Sequence, residues 1–227
     1  MGATAMPKAT QGGNVSPRDL ARALGGFLPP PGYRVGLLGG SFNPAHEGHR
    51  MISVEALKRL GLDEVWWLVS PQNPLKPADG MAGLGQRLEA ARRAAGHPRI
   101  RVTALESALG TQYTAETLRA LTCRLPRVSF VWMMGADNLR QIPAWKDWLQ
   151  IFHLLPVAIL DRPSYALGAL AGMAARRFSR WRKPERAARS LPGMEPPAWV
   201  FLHGPLSPQS ATRIRAARIS GSAGLWR

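Results

Sequence analysis

Gly36-Leu-Leu-Gly-Gly-Ser-Phe-Asn-Pro-Ala-His-Glu-Gly-His49 decides the fold. It closes an apolar run, crosses two adjacent glycines and sets two histidines three residues apart where a helix begins. Glycine lets backbone come close to a phosphate or a base. A helix N-terminus turns unpaired N–H groups and positive potential towards an anion. The stretch therefore reads either as a nucleotide-phosphate site or as a plain strand-turn-helix junction with two solvated histidines.

Working outward, Arg34–Leu38 is a short strand without polar alternation, the mark of a strand buried on both faces. A helix is expected from about 46 to 60, stopped by Gly61. Glu64 to Ser70 reads as a second strand, with Trp66 and Trp67 in the core or on the sheet face. This is a βαβ unit. The pattern continues with a loop over 71–80, a helix over 86–95, a strand over 99–104 and a helix opening at Tyr113, capped by Thr114. A strand over 127–134 ends at Gly135-Ala136-Asp137, where Asp137 is a candidate N-cap. Helix 145–153, strand 157–160, helix 164–178, strand 199–202 and helix 210–219 follow. The alternation predicts an α/β, doubly wound, mainly parallel sheet. Ligands of such sheets sit beyond the strands' carboxyl ends, where strand order reverses. The polar motifs at 39–49, 71–76, 135–138, 161–162 and 203–215 all fall there and point to one composite site.

The chain of 227 residues suffices for one core. Residues 1–32 read as a flexible leader with a short helix after Ser16-Pro17. Residues 33–227 read as a single domain with a basic insert near 174–197. No apolar run is long enough to span a membrane, and the N-terminus lacks the apolar middle of a signal peptide. Cys123 is the single cysteine. A cytoplasmic location is expected. The net charge of +16 suggests anionic partners, nucleotide or nucleic acid. Residues 174–190 hold seven Lys/Arg against one Glu. They lack the regular aromatic interleaving of a stacking surface for nucleic acid.

Gly40-Ser-Phe-Asn-Pro-Ala-His-Glu-Gly-His49 resembles the GSFNPxHxGH signature of bacterial nicotinate-nucleotide adenylyltransferases, members of the HxGH nucleotidyltransferase group. Pro71-Gln-Asn-Pro-Leu-Lys76, Tyr113-Thr-Ala-Glu-Thr-Leu118, Gly135-Ala-Asp-Asn-Leu139 with Trp145 and Trp148, Asp161-Arg-Pro163 and Ser210-Ala-Thr-Arg-Ile-Arg215 agree in order. The last usually reads ISSTxIR, and Ala211 replaces one hydroxyl. The resemblance implies a Rossmann-like nucleotidyltransferase fold and transfer of AMP from ATP to nicotinate mononucleotide. Rival acceptors are nicotinamide mononucleotide and phosphopantetheine; a basic nucleic-acid-binding protein is the rival of another class.

The resemblance also implies the roles. His46 and His49 donate to the ATP phosphates; a metal-ligand pair would need further ligands. Gly39, Gly40, Ser41 and Phe42 supply backbone N–H groups, and adenine packs over Gly48. Lys76, Ser210, Thr212 and Arg215 meet phosphates, while Gly135 and Asp137 meet ribose or adenine. Tyr113 and Thr114 offer N–H groups to the nicotinate carboxylate, Trp145 stacks on its ring, and Arg162 pairs with the mononucleotide phosphate. ATP implies Mg²⁺ held by phosphates and water, with no dedicated protein ligands. A homo-oligomer is left open.

Overall fold

The computed structural model describes residues 16–71, 81–161 and 166–204. Seven strands form one sheet: β1 (Arg34–Gly40), β2 (Glu64–Val69), β3 (Ile100–Thr103), β4 (Ser129–Gly135), β5 (Val157–Leu160), β6 (Arg182–Lys183) and β7 (Trp199–Leu202). Their spatial order is β3-β2-β1-β4-β5-β7-β6, and every pairing is parallel. The helices are α1 (Pro17–Ala23), α2 (Glu47–Arg59), α3 (Leu84–Ala95), α4 (Leu105–Leu109), α5 (Thr114–Arg124), α6 (Ala136–Gln141), α7 (Trp148–Leu154), α8 (Ala166–Leu170) and α9 (Met173–Arg177).

Both faces of the sheet are covered, as the uninterrupted apolar strands require. Successive side chains point to opposite faces. Val35, Leu37, Trp66, Leu68, Phe130, Trp132 and Met134 thus join one core, and Leu38, Val65, Trp67, Val69, Val131 and Met133 the other. Trp66 and Trp67 are fully buried, one on each side.

Ser16 caps α1 by accepting from the Asp19 amide, with Pro17 in the first helical position. The part of the expected leader that the structure describes begins at Ser16. Leu20 and Leu24 lie in the first core, and Arg101 donates to the Leu24 carbonyl at 2.9 Å. The same guanidinium pairs with the buried Glu64, which also accepts from Trp66 Nε1. The segment is thereby tied to the amino-terminal edge of the sheet.

Several boundaries shift. β1 runs two residues further, to Gly40, and pairs with β2 through Val69. The helix expected from 145 begins at Trp148, because Asp147 adopts a left-handed backbone with φ 54° and interrupts the turn. The helix expected over 164–178 is split into α8 and α9 at Gly172, the N-cap of α9. The basic stretch carries the edge strand β6 and a 3-10 run over Glu185–Gly193. Ala188 and Leu191 anchor that run in the core, while Arg176, Arg177, Arg180, Arg182, Arg186 and Arg189 are exposed. A two-residue edge strand made of Arg and Lys is a poor template for a further strand. Among the described residues no helix is long and apolar enough to cross a membrane.

Candidate active site

Strand order reverses between β1 and β4: β2 lies on one side of the pair and β5 on the other. Leu38 is in register with Met133, so the chain leaves Gly40 and Gly135 at neighbouring points of the same sheet edge. The GSFNPxHxGH segment and the start of α6 thus flank the topological switch point, where an open α/β sheet leaves room for a ligand.

Gly39 is glycine for a packing reason. A Cβ there would meet the Trp132 ring at 2.5 Å. Both Gly39 and Gly40 belong to β1, so the loop proper starts at Ser41. Phe42 takes a left-handed backbone, φ 46°, unfavourable for a bulky residue. Burial of its ring offsets the strain: Phe42 stacks on Trp67 with centroids 4.9 Å apart and planes 16° apart. The other neighbour of the Phe42 ring is His49, at 4.8 Å. Below His49, Trp67 Nε1 donates to Ser53 Oγ at 2.8 Å, and Ser53 Oγ donates to the His49 carbonyl at 2.7 Å.

His46 is the N-cap of α2, a place usually taken by Ser, Thr, Asp or Asn. Its Nδ1 accepts from the Gly48 amide at 3.1 Å, and its own amide donates to His49 Nδ1 at 3.3 Å. The two rings lie 3.9 Å apart, and His46 is buried. An N–H aimed at Nδ1 requires a lone pair there, so in each ring the neutral form carries its proton on Nε2. The pair thus presents two Nε2–H donors. Sequence reading placed both histidines in the first turn; His46 instead stands just before it.

Arg87 of α3 is buried, although it is an arginine. Its guanidinium donates to the carbonyls of Ser41, Ser70 and Pro71, each at 2.7 Å, and Nε donates to the Ala82 carbonyl at 2.8 Å. No carboxylate among the described residues pairs with it, and burial holds its pKa below the ordinary arginine value. Asn43 of the motif also accepts from the Ala82 amide, at 3.4 Å.

Glu106 in α4 is a buried carboxyl whose Oε2 has no hydrogen-bond partner among the described residues. Burial pushes its pKa up to about 7, against the opposing pull of a hydrogen bond with the Ser70 side chain. Ser70 links the groups: its amide donates to the Gly40 carbonyl, and its own carbonyl accepts from Arg87.

Two expected caps are corrected. The N-cap of α5 is Tyr113, and Thr114 is the first helical residue. The Tyr113 side chain makes no capping hydrogen bond to the first-turn amides. The hydroxyl that binds back is that of Thr117, which donates to the Tyr113 carbonyl and meets Thr111 Oγ1 at 2.8 Å. Asp137 lies in the first turn of α6, whose N-cap is Gly135. Lys146 sits 4.1 Å over the Tyr113 ring and 3.1 Å from Glu116, which draws the Trp145 segment towards the start of α5. Trp145 is half-buried beside the first core and makes no ring contact among the described residues. Trp148 instead packs edge-on against Phe152 and Phe178.

The structure thus gathers Gly39, Gly40, Ser41, Phe42, His46, Gly48 and His49 with Gly135 and Asp137 at the switch point. Tyr113 and Thr114 open α5, and Lys146, the residue after Trp145, reaches Tyr113 and Glu116 there. Lys76, Arg162, Ser210, Thr212 and Arg215 lie outside the described residues. Among the described residues no three His, Cys, Asp or Glu side chains stand close enough to hold a metal ion. Sequence reading missed Arg87 and Glu106. For Arg87 a signal existed: Leu84, Leu88, Ala91 and Ala95 mark the packed stripe of α3, and position 87 falls on it.

An all-parallel sheet with a histidine-capped helix and glycine-bearing strand ends at its switch point has the form of a Rossmann-like nucleotidyltransferase fold. Residues 37–217 match the cytidylyltransferase-like family. Two curated relatives bear the name "Probable nicotinate-nucleotide adenylyltransferase". That of Rhizobium meliloti is 48% identical over 81% of this chain and 98% of its own length. That of Parvibaculum lavamentivorans is 52% identical over 82% and 92%. The chain belongs to the nicotinate-nucleotide adenylyltransferase family. Among solved structures, Plasmodium falciparum nicotinic acid mononucleotide adenylyltransferase complexed with NaAD superposes with a TM-score of 0.61 at 15% identity. The match covers 81% of this chain and 83% of that one, a likeness of fold.

Proposed function

We propose that this chain transfers the adenylyl group of ATP to the phosphate of nicotinate mononucleotide, forming nicotinate adenine dinucleotide and releasing pyrophosphate. The observation that carries the reading is the reciprocally capped His46–His49 pair at the switch point, in a chain of this family. A phosphate oxygen of the mononucleotide attacks the α-phosphorus, and the bond to the bridging oxygen of pyrophosphate breaks. The nucleophile is already anionic, so no general base is needed. Rate comes from alignment and from charge stabilisation. The Nε2–H groups of His46 and His49 suit that task because their Nδ1 atoms are fixed by backbone amides. The N-terminus of α2 adds positive potential.

Adenine would lie over Gly48, with its ribose towards Gly135 and Asp137, and Ser41 and Phe42 would offer main-chain amides. The uncapped start of α5 suits a carboxylate, which favours the nicotinate acid over the amide. Trp145 would stack on the pyridine ring. Lys76, Ser210, Thr212 and Arg215 are proposed for the ATP phosphates and Arg162 for the mononucleotide phosphate. Mg²⁺ would enter with ATP, bound by phosphate oxygens and water. A cytoplasmic location fits these substrates.

The deciding measurement is pyrophosphate release from ATP with nicotinate mononucleotide as acceptor, run beside the nicotinamide form. Faster turnover of the acid supports the assignment; preference for the amide, or no release with either, removes it.

A further inference from the structure

We infer that Arg87 is a positioning residue for the ATP-handling loop: its guanidinium locks the segment bearing His46 and His49 to the carboxyl end of β2 and to Ala82. The inference rests on the proposed ATP-dependent reaction.

Arg87 is 2% exposed, yet it sits on an outer helix and meets three separate stretches of main chain. It reaches Ser41 at the start of the motif loop, Ser70 and Pro71 where β2 ends, and Ala82. Four carbonyls take four donors in one planar fork. A lysine could not match that geometry. A structural arginine buried for stability alone would be expected to neutralise its charge on a carboxylate, as Arg101 does on Glu64 at 2.6 Å. Among the described residues Arg87 meets carbonyl dipoles, and those belong to the loops around the switch point. Asn43 adds a second tie between the motif and Ala82. Misplacing a reacting group by about 1 Å can cost roughly 10²-fold in rate.

The geometry also limits the effect. Among the described residues no Arg87 hydrogen bond goes to Tyr113, Thr114 or Trp145. Its loss should disturb ATP handling and leave acceptor binding largely as it was.

The test is steady-state kinetics of the full chain, wild type against Arg87→Lys and Arg87→Gln, with the folded fraction of each fixed by near-UV circular dichroism. The expected result is a KM for ATP raised about 10-fold or more and kcat lowered about 10²-fold. The KM for nicotinate mononucleotide should stay within about threefold in both variants. Arg87→Lys should rescue little, because it restores charge without the fork. A folded variant in which both KM values hold and kcat merely scales with the folded fraction would overturn the inference. So would full rescue by lysine. Failure of both variants to fold would also overturn it, since Arg87 would then serve the whole fold rather than the loop. A wild-type chain that turns over neither mononucleotide would remove the proposed reaction and this inference with it. A wild type active beside normal variants removes the inference alone.

Discussion

His46 and His49 cap each other across one turn: the His46 amide donates to His49 Nδ1 at 3.3 Å, while the His46 ring accepts the Gly48 amide at 3.1 Å. The helix start and the ring tautomers are therefore one arrangement. Any variant that disturbs the cap disturbs the donors.

The two functions can still be separated. His49→Ala should lower kcat by about 10² or more, the usual cost of a lost transition-state donor. Stability should fall by only about 1 kcal/mol. His46→Asn is the sharper probe. Asparagine is a good N-cap, so the denaturation midpoint should hold while turnover falls, because no ring Nε2–H remains. Pyrophosphate release and urea denaturation of both variants check this. Near-normal turnover in His49→Ala would take the histidines out of the chemistry.

Trp145 supplies a test of the acceptor side. Stacking of aromatic rings contributes about 1 kcal/mol beyond the buried area. Trp145→Ala should therefore raise the KM for nicotinate mononucleotide about 10-fold and leave that for ATP within about twofold. Initial-rate measurements at varied concentrations of each substrate decide it. An equal rise in both would show that Trp145 serves packing.

Gly39→Ala probes the strand end under the site. The new Cβ would lie 2.5 Å from the Trp132 ring, and both residues are held in a paired strand. Overpacking of this kind costs about 1–3 kcal/mol. The same substitution in a Trp132→Leu background should cost less, because the indole that blocks the methyl is gone. Chemical denaturation of the two single variants and the double variant measures the coupling.

The frame was legible because the strands are apolar on both faces and the motifs at 39–49 and 135–138 fall at the carboxyl ends of β1 and β4. The local details were less so, each for a physical reason. Histidine is an uncommon N-cap, so His46 was placed one position too far into α2. Thr114 and Asp137 have the right chemistry for caps, but the caps are Tyr113 and Gly135, neither of which makes a side-chain capping hydrogen bond. Arg87 looks in sequence like its exposed neighbours Arg92 and Arg93; only its place on the packed stripe of α3 sets it apart. Glu106 gives no sequence signal, because its burial depends on where α4 lands relative to β2. The basic stretch near 174–197 hid the apolar anchors Ala188 and Leu191.

Glu106 makes stability depend on pH. Its folded-state pKa is raised from 4.5 to about 7, chiefly by burial. Between those values the folded chain holds a proton that the unfolded chain has released. Protonation therefore favours the folded state: the stability linked to this group is fully present below pH 4.5, falls as pH rises, and is lost once pH has passed through about 7. The gap corresponds to about 3 kcal/mol at most. Glu106→Gln keeps the shape and stays neutral. It should flatten this part of the profile and make the variant more stable than wild type at pH 8, with little difference at pH 4.5. Urea denaturation across that range, read as the difference between variant and wild type, isolates the group from every other titration. A difference that does not change between pH 5 and 8 would show that Glu106 titrates normally, and that its buried oxygen is satisfied in solution by water.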